Sequence, residues 1–322
     1  MKLQSGLTLP ELMVALLVGL FVVAASLTVF TMSSTSVLST SQYNQLQESG
    51  RLALRLIHDD LAQAGFFADL TGLDLIENIN LQLPEKTEGT DCVGAGLNNA
   101  TFPNGLGHFR TIWAYTKGSG AKLSCENGAL SGSDVLQVKR LVGPEVSVAS
   151  DERYYFHVNV SQGAFFHHQS PVPSIGNGRI FEYQHKAYYV RNSPEGIPTL
   201  YRHALSSKDF LLGSEPLVEG VEAMQLEFGI DFDNNGTTDS YVATSEVDDA
   251  IWDQRQSARV LAVRVHLLLR SLEPDNSYQD GGERVFDMPG GALTKGGDGY
   301  RRKRLTTTVM IRNAQLISRR NG

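Results

Sequence analysis

The chain has 322 residues, with 28 basic and 35 acidic side chains and a net charge of −7. That balance gives no general case for nucleic-acid binding, and the length allows one large or two small domains beyond a terminal helix. Two cysteines cannot supply a zinc site, which needs about four ligands at characteristic spacing.

The first predicted element is an apolar helix. A short polar leader ends at Gly6, a carboxylate sits at Glu11, and Leu12 to Met32 then runs without a charge. A run of about 20 apolar residues is long enough to span a bilayer. An ordinary secretory signal has a shorter apolar centre, about 7–15 residues, and no glutamate at its mouth. A carboxylate just inside such a segment is costly in lipid and needs a partner.

Helical periodicity continues past the apolar run. Leu46, Ala53, Leu54, Ile57, Leu61 and Ala64 form one apolar stripe. Gln45, Glu48, Arg51, Arg55 and Asp59 take the opposite face, with Glu48–Arg51 and Arg55–Asp59 at supportive spacings. One long helix is therefore expected from Thr8 to Gln63, stopped near Gly65. Pro10 is compatible because it lies in the first turn, where its missing N–H needs no helical partner.

Two stretches of this helix carry a resemblance. Ser5-Gly6-Leu7-Thr8-Leu9-Pro10-Glu11-Leu12-Met13-Val14 resembles the class III signal of type IV pilins and type II secretion pseudopilins. Gln47-Glu48-Ser49-Gly50-Arg51-Leu52-Ala53-Leu54, then Asp60-Leu61 and Ala64-Gly65-Phe66-Phe67, resembles the corresponding helix of PilW-type minor pilins. The resemblance implies that a prepilin peptidase cuts after Gly6 and methylates Leu7. It also implies that Glu11 pairs with the terminal amine of a neighbouring subunit. Leu7 stands where the family usually has phenylalanine. The implied partners are other minor pilins, the major pilin, the prepilin peptidase, the cytoplasmic membrane and a tip adhesin.

The expected fold is α+β: a long N-terminal helix packed on a mostly antiparallel β-sheet domain. The expected divisions are a leader at 1–6, an assembly half of the helix at 7–33, an amphipathic half at 34–65 and a β-rich domain at 66–322. Residues 68–132 read mostly as Asn-, Gly- and Asp-rich loops, with a short strand at Phe109–Tyr115. Outside the cytoplasm, in an oxidising compartment, Cys92 and Cys125 are expected to close a disulfide across this poorly restrained stretch. Strand patterns follow at Asp134–Leu141, Arg153–Val160, Ile180–Val190, Thr199–Ala204, Met224–Ile230, Arg259–Arg270 and Thr306–Arg312. In the sixth, Val260, Ala262, Val263, Val265, Leu267 and Leu269 are assigned to one face, opposite Arg264, His266, Leu268 and Arg270. Arg301-Arg302-Lys303-Arg304 reads as a solvated turn, or as a contact for anionic headgroups or an acidic partner.

One loop has metal-site chemistry. Asp231, Asp233, Asn235 and Asp239 place oxygen side chains at alternate positions around Gly236, with Thr237 able to add a backbone carbonyl. This matches the first part of an EF-hand-type Ca2+ loop. Val242 occupies the place of the usual bidentate glutamate, and Glu246, Asp248 and Asp249 are candidates to complete the shell. An Asx-rich hairpin turn uses the same residues without any ion. His167-His168 is a poor chelate, because adjacent residues on a strand point to opposite faces. G-x-S-x-G, P-loop and H-E-x-x-H motifs are absent, so no enzyme is expected.

The expected function is a non-catalytic minor pilin that primes a type IV pilus at or near its tip. The alternatives are a J-like pseudopilin of type II secretion and a calcium-dependent adhesive module.

Overall fold

A computed structural model describes residues 8–84, 91–147, 152–206, 212–255, 258–275, 278 and 282–314. Gly6 and Leu7 lie outside the described residues. Helix α1 (Leu9–Leu61) is followed by a short 3-10 turn at Ala68–Leu70. The strands are β1 (Leu81–Gln82), β2 (Ile112–Thr116), β3 (Asp134–Val142), β4 (Tyr154–Val158), β5 (Gly163–His167), β6 (Arg179–Asn192) and β7 (Pro198–Leu205). Next come β8 (Leu212–Glu219), β9 (Val221–Asp231), β10 (Ser240–Ala243), the short helix α2 (Asp249–Trp252), β11 (Arg259–Arg270), β12 (Glu283–Phe286), β13 (Leu293–Gly296) and β14 (Arg302–Met310).

Helix α1 starts where the sequence supplies a start. Thr8 is the N-cap, a proline occupies the first turn, and Glu11 reaches back to the Thr8 backbone N–H at 2.9 Å. This is a capping box, which satisfies a donor that the helix itself leaves orphaned. At the other end, Gly65 takes a positive φ of 71°, a conformation that costs glycine little. The buried face is Leu46, Gly50, Ala53, Ile57, Asp60 and Leu61, a helical stripe turned onto the β domain.

The larger sheet has eight strands in the order β1-β5-β4-β6-β3-β2, with β7 and β8 added beside β6. The length of β6 makes this branching work. Its Arg179–Tyr183 segment pairs with β4, and its Lys186–Asn192 segment pairs with β7 on the same edge. The second sheet is antiparallel, β10-β9-β11-β14, and β12 and β13 form a separate hairpin. Apart from the short β1–β5 pairing, every strand pair is antiparallel. A long N-terminal helix followed by a mostly antiparallel β domain is therefore the architecture.

One apolar core unites α1 with both sheets: Ile57 and Leu61 meet Leu136, Tyr188, Val263 and Leu267 in a single cluster. A second cluster is mainly aromatic, with Phe67, Phe102, Phe156, Phe165 and Tyr183 interlocked. Most of its ring pairs lie edge-to-face or tilted at 4.4–6.5 Å, the arrangements that ring quadrupoles favour.

The structure alters three expectations. Ala262 faces away from the core face that Leu261, Val263, Val265, Leu267 and Leu269 share, because adjacent strand residues point to opposite sides, and the register shift between Val260 and Ala262 lies before it. Leu268, on the outer face, is covered by the β12–β13 hairpin through Met288, Phe286 and Leu293. Arg302, Lys303 and Arg304 belong to β14 rather than to a turn. Arg302 is held by Glu222 and Asp298 at 2.6–3.1 Å, and Arg301 by Asp275 at 2.8 Å. Arg301 and Arg302 thus already have carboxylate partners within the chain. Strands β1, β5, β8, β10, β12 and β13 carried too little periodicity to be recognised.

Candidate assembly helix and acidic loop

The two halves of α1 have opposite surroundings. From Leu12 to Met32 every side chain is exposed, and this segment is long and apolar enough to cross a membrane. From Leu46 onward the same helix is packed onto the domain. Glu11 lies at the mouth of the exposed half. Its Oε2 accepts from the Thr8 backbone N–H and from Thr8 Oγ1 at 2.8 Å, and no cation neutralises it among the described residues. Hydroxyls in the exposed half bond back to their own helix: Ser26 donates to the Val22 carbonyl and Thr28 to that of Ala24. The exposed surface is thereby left free of unsatisfied polar groups.

Close contact with the domain depends on Gly50. A Cβ there would lie 2.4 Å from Leu305 Cδ1 and 2.7 Å from Leu269 Cδ1. The last turns are then tied down by a buried ionic cluster. Asp60, 3% exposed, accepts from Arg140 Nε at 3.0 Å, Arg140 Nη2 at 2.6 Å and Lys186 Nζ at 3.1 Å, and the Tyr188 hydroxyl donates to its other oxygen. Burial alone would raise the Asp60 carboxyl pKa, but Lys186, Tyr188 and Arg140 outweigh it and hold it below the usual carboxylate range. This role for Asp60 was missed. Its signal was a carboxylate inside the apolar stripe, three residues after Ile57 and four before Ala64.

Cys92 and Cys125 are bonded, with their Cα atoms 4.9 Å apart. The bridge joins two loop segments before β3 that strand pairing leaves unconnected. Beside it, Arg110 is fully buried and donates to Asp253 at 2.6 Å and Asp249 at 2.8 Å. That contact pins the same loop to α2.

The loop after β9 folds around its own carboxylates. Asp231 is buried, and its two oxygens accept from the backbone N–H groups of Asn235 at 3.2 Å and Gly236 at 2.8 Å. Asp233 also accepts from Asn235 N–H, and Asp239 accepts from Phe232 N–H at 2.7 Å. One oxygen from each of Asp231, Asp233 and Asp239 lies within 4.8 Å of the others. Asn235 Oδ1 is taken by the backbone N–H and hydroxyl of Thr237. The nearby acids do not join them. Glu246 accepts from Ala243 N–H, Asp248 caps α2 at Ile251, and Asp249 pairs with Arg110. The group therefore fits a hard cation with three convergent carboxylates, and the same contacts also complete an Asx turn.

Residues 187–313 match the family described as Type IV Pilus-assembly protein W. This stretch runs from the second half of β6 through β14, so it takes in the whole second sheet but only β7, β8 and part of β6 of the larger one, and it lies apart from the 1–67 segment that carries the PilW-type resemblance. No curated protein matches the sequence. Among solved structures, a type IV-like pilin from Thermus thermophilus is similar at 14% identity, with 84% of this chain and 96% of that one covered and a TM-score of 0.36.

Proposed function

We propose that this chain, a PilW-type pilus assembly protein, is a minor pilin that primes type IV pilus assembly and sits at or near the filament tip. The observation that carries the reading is the division of α1. A lipid-length apolar half is wholly exposed, and the remainder is packed onto a β domain. Such an exposed half needs a cover, which lipid supplies before assembly and neighbouring helices supply afterwards. The prepilin peptidase cuts between Gly6 and Leu7 and methylates Leu7. Glu11 then leaves its Thr8 cap for the terminal amine of the adjacent subunit, major or minor pilin. The β domain stands outside the cytoplasmic membrane, and its bulk suits a tip position better than a repeating shaft.

Intact N-terminal mass spectrometry of the membrane-extracted protein, with and without the prepilin peptidase, tests this reading. It expects N-methylated Leu7 only with the peptidase. A retained Met1, or a cut near Ala25, overturns it. Regular spacing along purified filaments would overturn the tip position. Deletion that blocks secretion and spares twitching would favour a J-like pseudopilin instead.

The three convergent carboxylates support a second reading, in which Asp231, Asp233 and Asp239 hold Ca2+ and the domain is a calcium-dependent adhesive module. Its test is Ca2+ titration of the full chain in detergent. Saturable binding that Asp231→Asn abolishes supports it, and identical unfolding curves with Ca2+ and with chelator overturn it.

A further inference from the structure

Beneath the disulfide-bearing loop lies a sealed polar cluster that assembly does not use. Lys139 on β3, Gln137 beside it and Asn99 on the loop are all buried, at 0%, 0% and 1% exposure. Lys139 Nζ lies 3.2 Å from Asn99 Oδ1 and 4.5 Å from the centre of the Phe109 ring. Since a carbonyl bond is about 1.2 Å long, the amine is within about 4.4 Å of the Asn99 amide carbon. Burial drives the Lys139 pKa well below its ordinary value, the charge of Asp91 opposing this and that of Arg110 adding to it. A desolvated lysine of this kind loses its proton readily and presents a nucleophilic lone pair.

Asn99 is held as the complementary electrophile. Its Oδ1 accepts from Gln137 Nε2 at 2.7 Å, which draws electrons from the amide carbon. Its Nδ2 donates to the Ala95 carbonyl at 2.9 Å, fixing the amide plane. Gly94 admits this amide, because a Cβ there would lie 2.2 Å from Asn99 Nδ2.

We propose that Lys139 and Asn99 close an intramolecular isopeptide bond. The Lys139 nitrogen lone pair attacks the Asn99 Cγ, the Nζ–Cγ bond forms and the Cγ–Nδ2 bond breaks. A proton from Nζ passes to the departing nitrogen, which leaves as ammonia. No oxidant or other reagent is consumed. Held contact in a water-excluded site supplies the effective concentration that such an aminolysis otherwise lacks. The product ties the loop covalently to β3, in addition to the Cys92–Cys125 bridge between the loops.

The test is mass spectrometry of the full-length protein from membranes, with its disulfide reduced. The expected mass falls short of that calculated for its processed sequence by one ammonia. Trypsin fails to cut after Lys139, and a branched peptide joins the Lys139 and Asn99 segments. Lys139→Met and Asn99→Ala each restore the missing mass. The full calculated mass with normal cleavage after Lys139 overturns the proposal, as does an ammonia loss mapped to another residue. The unsubstituted protein decides the matter by itself if either variant fails to fold.

Discussion

Replacing Asp60 with asparagine keeps the side-chain volume and removes the charge on which three donors converge. Loss of one partner from a buried ion pair typically costs about 3–5 kcal/mol, because the remaining charge is left uncompensated. Two features place Asp60→Asn at the lower end. Arg140 retains the Gln63 side-chain oxygen at 2.9 Å and the Leu141 carbonyl at 3.3 Å. Lys186 is partly exposed and can extend toward water. A cost of about 3 kcal/mol is expected, a large share of a typical stability of about 5–15 kcal/mol. With a urea slope of about 2–3 kcal/mol/M, the midpoint of the detergent-solubilised protein should fall by about 1–1.5 M. The same carboxylate should give acid sensitivity. Its folded pKa is depressed, so its stabilisation is complete above the ordinary carboxylate range and is lost as pH falls through the folded value. Asp60→Asn should flatten that part of the profile. An unchanged urea midpoint at neutral pH, with an unchanged slope, would refute the claim that this cluster anchors the helix.

Three further outcomes are expected. Cys92→Ser with Cys125→Ser opens a bridge of sequence separation 33, costing about 3–4 kcal/mol on the chain-entropy estimate; hydrogen exchange should rise in the loop near Asn99 before it rises in β11. Gly50→Leu should destabilise by up to about 2 kcal/mol, since a Cβ 2.4 Å from Leu305 Cδ1 puts overpacking near the top of its usual range of about 1–3 kcal/mol, against roughly 1 kcal/mol gained in helix propensity; equal thermal stability would count against close packing of α1 on Leu269 and Leu305. His108, held down to about 4 by burial and then by Arg259, Arg110 and Lys139, should make stability fall as pH drops from about 6.5 to about 4 and contribute no further loss below that. NMR titration of its ring checks this, and a midpoint near 6.5 would refute it.

The exposed apolar half of α1 was legible because its information is local. A charge-free run, a capping threonine and a proline in the first turn each act within a few residues, and α1 duly begins at Leu9. The strongest strands were legible for the same reason: β11 spans the Arg259–Arg270 read from alternation alone. The acidic loop was visible as a motif, but its neighbours were misassigned. Glu246 and Asp248 are taken by backbone N–H groups three residues away, at Ala243 and Ile251, and Asp249 by Arg110, 139 residues away in sequence.

Tertiary structure decided everything that depends on distant residues meeting. Asp60 reads as one more polar helix residue until β3 and β6 bring Arg140, Lys186 and Tyr188 to it. Nothing in the Asp134–Leu141 strand pattern marks Lys139 as buried, and it becomes so because the 91–111 loop folds over it and removes water. The basic run at Arg301 reads as a solvated turn until Asp275 pairs with Arg301, and Glu222 and Asp298 with Arg302. Sequence by itself therefore determined the helix, the β-rich class and the exposed apolar half of α1, because hydrophobic periodicity and capping are short-range. The charge state and partners of each buried polar group awaited the fold, because desolvation and ion pairing depend on which strands become neighbours.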